Sequence, residues 1–156
     1  MTPFDTVTNQ IIIQLALATL LGMLIGFERE RRGKQAGLRT FTLVTLGSAL
    51  FTILSASGFP GGDFKGYDPS RIASQIVVGI GFLGGGLIFL KEDYVYGLTT
   101  AAGLWAAAAV GMAVGFRMYA VAVFATLLVL LVLWLFKFLD RRIAKLPHNP
   151  PHEPHS

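Results

Sequence analysis

Long uncharged apolar runs alternate with short clusters of charge along this chain. They mark out five segments, at about residues 10–27, 38–57, 70–90, 98–115 and 118–138. Each approaches the roughly 20 apolar residues with which a helix crosses a bilayer. Backbone groups in hydrocarbon must be satisfied within the segment, so helices are expected rather than irregular chain. The pattern predicts an all-α integral membrane protein with about five transmembrane helices in residues 1–140. A basic, Pro- and His-rich tail at 141–156 is expected to be disordered, because Pro147, Pro150, Pro151 and Pro154 exclude a helix. The fourth segment is short and built from small side chains, which predicts a helix packed inside the bundle. Only Gly115, Phe116 and Arg117 separate it from the fifth, so that turn must be tight.

Composition agrees with a lipid solvent. The chain has 156 residues, of which 53% are hydrophobic and 14% charged, whereas soluble domains carry about 25% charged residues. There is no cysteine, which excludes disulfides and thiolate chemistry. The net charge of +4 comes from residues at the ends of apolar segments, so membrane topology explains it better than nucleic-acid binding. No basic stretch precedes the first segment and no small-residue cleavage site follows it, which reads as a retained helix rather than a signal peptide.

The basic residues also give a direction. Arg29, Arg31, Arg32, Lys34 and Arg39 follow segment one, Lys91 follows segment three, and Lys137, Arg141, Arg142 and Lys145 follow segment five. Lys65, Arg71 and Arg117 fall in the alternate connections. Ten of the 13 Lys and Arg residues thus lie on one side. By the positive-inside rule this places the N-terminus outside and the C-terminus in the cytoplasm.

Glycines four apart, at Gly22/Gly26, Gly81/Gly85 and Gly111/Gly115, remove side chains from one helix face and predict close helix packing. Gly79 and Gly84 belong to the same run in segment three. That packing serves either one subunit or a homo-oligomer, and the dense run at 79–86 is where a helix would bend or unwind. Residues 21–28 followed by 37–40 resemble residues 83–90 followed by 97–100. The two stretches read either as a parallel repeat of helices 1–2 and 3–4 or as coincidence among Gly and Leu.

Two groups of polar residues stand out. At the basic face, Glu28 pairs either with Arg32 at i+4 or, as a buried carboxylate, with Arg39 and the helix starts that carry Thr40, Thr99 and Thr100. At the other face, Asp68 and Pro69 form a helix start. Asp68, Arg71 and Gln75 share one side of the following helix, with Ser74 beside them. A polar stripe entering a membrane helix is expected to face protein or water, so an inward-facing site is expected there. The threonines and serines of segment two, from Thr40 to Thr52, are expected to bond their own backbone. His148, His152 and His155 are too weak a pattern to predict a metal site.

The stretches Leu24-Ile25-Gly26-Phe27-Glu28-Arg29-Glu30 with Ala36-Gly37-Leu38-Arg39-Thr40, Asp68-Pro69-Ser70-Arg71-Ile72-Ala73-Ser74-Gln75 running into Gly79-Ile80-Gly81-Phe82-Leu83-Gly84, and Gly97-Leu98-Thr99-Thr100-Ala101-Ala102 with Trp105 resemble three signatures of the MgtC/SapB membrane-protein family. The resemblance covers roughly residues 10–138. It implies a link to growth in low magnesium and, in some pathogens, to survival inside host cells. It also implies action through membrane partners such as the ATP synthase, or magnesium transport. Some members carry a soluble C-terminal domain. This chain stops just after segment five, so functions of that domain are not expected here. Gly84-Gly85-Gly86 replaces the family's Gly-Ala-Gly.

The expected function is therefore modulation of a membrane partner in magnesium or ion homeostasis. The alternative is an ion transporter or channel with polar sites at the two faces. Mg²⁺ requires oxygen ligands and sheds water reluctantly, yet none of the nine acidic residues falls within the middle of a span. No cofactor is expected, and ligand spacing gives Mg²⁺ no support. An enzyme is not expected, since no nucleophile–base pair or membrane histidine is present. The expected partners are the bilayer, a second copy and a membrane protein, but not nucleic acid.

Overall fold

The computed structural model describes residues 6–57, 68, 70–91 and 94–143. Asp63, Lys65, Pro69 and the histidine-bearing tail lie outside these residues. Among the described residues five helices form, as the apolar pattern predicts: α1 (Thr6–Arg31), α2 (Leu38–Ser57), α3 (Ser70–Gly85), α4 (Leu98–Gly115) and α5 (Tyr119–Ile143). Three of them, α1, α2 and α4, are long and apolar enough to cross a membrane, and α3 and α5 add shorter apolar stretches at 73–85 and 119–135. The protein is an all-α, multi-pass membrane protein.

The third segment departs from expectation. Its apolar run predicts helix to about residue 90, but α3 stops at Gly85. At 1.5 Å per residue its 16 residues extend about 24 Å, short of a hydrocarbon core of about 30 Å. Gly84-Gly85-Gly86 ends it, because consecutive glycines forfeit the most backbone entropy on ordering. Leu87 and Ile88 turn back on Gly84 and Gly85 through N–H donation to their carbonyls. The chain then forms a short antiparallel hairpin, β1 (Phe89–Lys91) with β2 (Tyr94–Tyr96), in which Phe89 stacks on Tyr96. Gly97 follows at φ 90°, and a Cβ there would collide with the Leu87 carbonyl, so only glycine fits.

Helix ends explain the two tightest turns. After α1, Gly33 (φ 59°) donates to the Glu30 carbonyl and Lys34 to that of Arg29. This is the left-handed glycine stop of the Schellman motif. After α4 the same pair of bonds recurs, from Arg117 to Val114 and from Met118 to Ala113. There the left-handed position is held by Arg117 at φ 63°. A side chain in that conformation costs about 1–2 kcal/mol. Arg117→Gly is therefore expected to stabilise the protein by about 1 kcal/mol, measured as a higher midpoint of thermal unfolding in detergent; an unchanged or lower midpoint would count against a strained turn.

The core is formed where α1, α2 and α4 pack against one another. Phe41, Ile25, Leu104, Val110 and Val114 are fully buried within it. Glycines bring the three backbones together. A Cβ on Gly22 would stand 2.9 Å from the Thr42 Cα and the Thr45 side chain, and one on Gly26 would stand 2.8 Å from the Leu38 Cα. From the other side, Gly111 lies against the Thr45 carbonyl and Gly115 against Thr52. Thr45 is thus clasped by glycines of both neighbours. Its hydroxyl donates to the Phe41 carbonyl, and Thr42 and Thr52 donate likewise to Leu38 and Ser48, so these three threonines bond their own backbone as expected.

Helix α3 packs on α2 and α4 through Ala73, Ile76 and Ile80. A Cβ on Gly84 would lie 3.4 Å from the Ala101 Cβ. The connection from α1 to α2 is a short turn, whereas that from α3 to α4 carries the β-hairpin.

The glycine assignments divide. Gly22, Gly26, Gly84, Gly111 and Gly115 pack between helices of one chain, whereas a Cβ added to Gly79, Gly81 or Gly85 would meet nothing within 4 Å. The expectation that these three pack helices together does not hold within one chain. The physical reason is that the inward ridge of α3 is Ala73-Ile76-Ile80, which turns them outward.

Candidate functional site

The basic end of the bundle collects the last turn of α1, the first turns of α2 and α4, the β-hairpin and the side of α5. Four charged residues in the last turn of α1 and the turn after it divide there into distinct contacts. Glu28 pairs with Arg32 one turn on, and both side chains are mostly covered. Arg32 also donates from Nη1 to the Leu133 carbonyl of α5 at 3.0 Å. Glu30 reaches the start of α2, where Oε2 accepts the Leu38 N–H at 2.9 Å. A carboxylate at a helix N-terminus meets both an orphan donor and the positive dipole end.

Arg29 points inward. It is only 3% exposed, and its Nη2 donates to the Thr100 hydroxyl on α4 at 2.8 Å. Its Nε is buried without a hydrogen-bond partner. Beside it opens a cleft of about 860 Å³. Arg29, Arg31, Arg32 and Lys34 line it from α1 and its following turn, Tyr96 from the hairpin, and Thr99 and Thr100 from α4. Val132 and Leu133 of α5 supply an apolar wall.

At the opposite end, α1 grips the other terminus of α4. Gln14 is 1% exposed, and its Nε2 donates to the carbonyls of Val114 at 2.9 Å and Gly115 at 3.0 Å. The two helices are antiparallel, and the register matches: 15 residues separate Gln14 from Arg29 on α1 and Thr100 from Gly115 on α4. One α1 side chain therefore holds each end of α4.

The residues expected from sequence fall unevenly on this arrangement. Thr100 is buried and bonded to Arg29, and Thr99 lines the cleft. Glu28 takes the Arg32 pairing rather than meeting Arg39. Arg39 and Thr40 are at the start of α2, where both are exposed. At the other end, the carbonyl of Asp68 accepts the Arg71 N–H in the first turn of α3. Arg71, Ser74 and Gln75 are exposed, and Ser74 donates to the Arg71 carbonyl. The expected inward-facing site of Asp68, Arg71 and Gln75 is thus not formed among the described residues, because the opposite face of α3 supplies the apolar contacts. Gln75 instead edges an apolar groove of about 530 Å³ that Leu43, Gly47, Phe51 and Gly79 help to line.

Sequence reasoning misses Gln14 and Arg29 as functional positions. A signal exists for both: Gln14, Ala18, Leu21, Ile25 and Arg29 follow one another by three or four residues and all are buried. A polar residue on the same stripe as the packing glycines must find a protein partner. Among the described residues there is no group of three or more His, Cys, Asp or Glu that could hold a metal ion.

Residues 15–142 match the MgtC family. A protein of Escherichia coli K12 named "Putative magnesium transporter YhiD" is 47% identical over 139 residues, covering 87% of this chain and 65% of its own. Protein MgtC of Brucella abortus strain 2308 is 50% identical over 118 residues, which cover 76% of this chain and 48% of the relative. Protein MgtC of Salmonella typhimurium strain 14028s is 43% identical over 136 residues, with 87% and 56% covered. The chain thus spans about half to two thirds of the length of these relatives. No solved structure matches it.

Proposed function

Since this chain belongs to the MgtC family, we propose that it is a bacterial inner-membrane protein that serves magnesium homeostasis by acting on membrane partners rather than by conducting the ion. Magnesium enters the reading through the relative that carries it in its name. The observation that carries the rest is the sign of the cleft: four cationic side chains line it. A divalent cation entering would meet an excess of positive charge, and no carboxylate among the described lining residues would replace its water shell.

In this reading the basic end, with its arginines and lysines, faces the cytoplasm and the N-terminus lies outside. The protein binds rather than catalyses. Support for a helix partner, whether a second copy or another membrane protein, comes from the open backbone around Gly79, Gly81 and Gly85 on α3. A neighbouring helix approaches closely where side chains are missing.

Reconstitution separates this from transport. Liposomes containing only the purified protein are expected to take up no more Mg²⁺ than empty ones, while cells carrying it grow better in low magnesium than cells without it. Robust uptake that Glu28→Ala or Asp68→Ala removes would establish the transporter reading instead. Bulky replacements of Gly79 and Gly81 by leucine are expected to abolish the growth advantage without unfolding the protein; a full advantage in that variant would sink the partner surface.

A further inference from the structure

The geometry points to the basic cleft as a binding site for a phosphate group, held between the Arg29 side chain and the N-terminus of α4. Three independent features converge on it. First, Arg29 is buried but half used: Nη2 is bonded to Thr100, while Nε, without a partner, belongs to a side chain that lines the cleft. A buried guanidinium donor left unsatisfied is costly, and a bound anion satisfies it.

Second, α4 starts without a cap. Gly97 offers no side-chain hydrogen bond, and the first bond of the helix runs from the Ala101 N–H to the Gly97 carbonyl. The N–H groups of Leu98, Thr99 and Thr100 therefore have no intrahelical acceptor, and all three residues line the cleft. The start of an 18-residue helix adds the positive end of its dipole. By contrast, α2 has its start closed by the Glu30 carboxylate, which shows what the same chemistry looks like when an internal anion fills it.

Third, the charge is unbalanced. Glu28 neutralises Arg32, but no carboxylate among the described residues pairs with Arg31 or Lys34. An anion with several acceptor oxygens meets a planar guanidinium, orphan backbone donors and two further cations at once, which is the donor set that phosphate selects. The group arrives either on a soluble phosphate or on a lipid, whose acyl chains would lie along Val132 and Leu133.

This inference concerns the same cleft on which the functional reading rests, but it is tested on purified protein and stands or falls apart from any growth or flux result. Titration calorimetry in neutral detergent at fixed ionic strength uses inorganic phosphate, dihexanoyl phosphatidylglycerol and dihexanoyl phosphatidylcholine. Saturable binding of the phosphatidylglycerol is expected. Binding of inorganic phosphate as well would identify the anion alone as the ligand; binding of the anionic lipid only would make the apolar wall part of the site. Arg31→Ala combined with Lys34→Ala changes residues outside the packed core and should leave the fold intact while weakening binding about tenfold. Arg29→Lys keeps the charge but loses the fork, and is expected to weaken it as well. Arg117→Gly, at the far end, should bind as the parent does. The proposal is overturned if no phosphate probe saturates, if phosphatidylcholine binds as tightly as phosphatidylglycerol, or if Arg117→Gly loses as much affinity as the cleft variant.

Discussion

Gly111→Ala is expected to destabilise the bundle despite replacing a poor helix former with the best one. In an isolated helix the exchange gains about 1 kcal/mol. Here the new methyl group would fall on the Thr45 carbonyl and 3.0 Å from the Ser48 Cβ. The carbonyl belongs to the backbone of a buried helix, so it cannot swing aside as a long side chain does. The axes of α2 and α4 must separate, which opens the contact that Gly115 makes with Thr52 one turn on. Overpacking of this kind costs about 1–3 kcal/mol, occasionally more, and so outweighs the propensity gain. Gly79→Ala is the matched control, because nothing lies within 4 Å of a Cβ at that position. Its expected effect is neutral to stabilising. The folded fraction remaining after graded heating in detergent measures both. Equal stability of the two variants would refute the close α2–α4 approach.

The second large effect is expected at Gln14. Its amide serves the two carbonyls with which α4 ends, and the Val114 carbonyl also accepts the Arg117 N–H. Gln14→Leu leaves the Gly115 carbonyl short of a donor in a buried place, at a cost of about 1–3 kcal/mol. Gln14→Glu is nearly isosteric but places an acceptor-only carboxylate against two carbonyl oxygens. An uncompensated buried charge costs roughly 3–5 kcal/mol, so this variant should fare worse than the apolar one. If Gln14→Glu proves as stable as the parent, the amide is not the clasp described. The order parent, leucine, glutamate is the diagnostic result in the same heating assay.

Much of this is legible from residues alone. The helix starts and ends of α2 and α4 follow the apolar runs closely, because a membrane span must satisfy its backbone internally and so announces itself by length. Gly22, Gly26, Gly111 and Gly115 are recognisable as a packing surface, since a missing side chain has the same meaning wherever the helix sits. Thr100 is recognisable as polar at a helix start, but its partner is not. Arg29 lies in a run of charges where any neighbour is an equally good guess from sequence, and one residue's rotation on a helix decides which of Glu28, Arg29 and Glu30 turns inward.

The polar face of α3 is misread from sequence for a related reason. Asp68, Arg71 and Gln75 do share a side by spacing, but spacing cannot say which side packs. Ala73, Ile76 and Ile80 take the inward position because their apolar contacts with α2 and α4 outweigh what the polar stripe could gain there. The end of α3 is misplaced because Ile88, Phe89 and Leu90 are as apolar as a helix requires. Only the geometry of Gly84-Gly85-Gly86 and Gly97 turns them into a hairpin.

By itself, then, the sequence determined that this protein lives in a membrane, how many helices it forms, that its basic residues gather at one end, and which glycines draw helices together; each of these depends on local composition and period. Tertiary structure alone decided that α1, α2 and α4 pack against one another, that Gln14 and Arg29 hold the two ends of α4, and that an unpartnered arginine donor and an uncapped helix start share one cleft. Those facts join residues up to 101 positions apart, and their pairing depends on the relative rotation of whole helices, which no local pattern along the chain encodes.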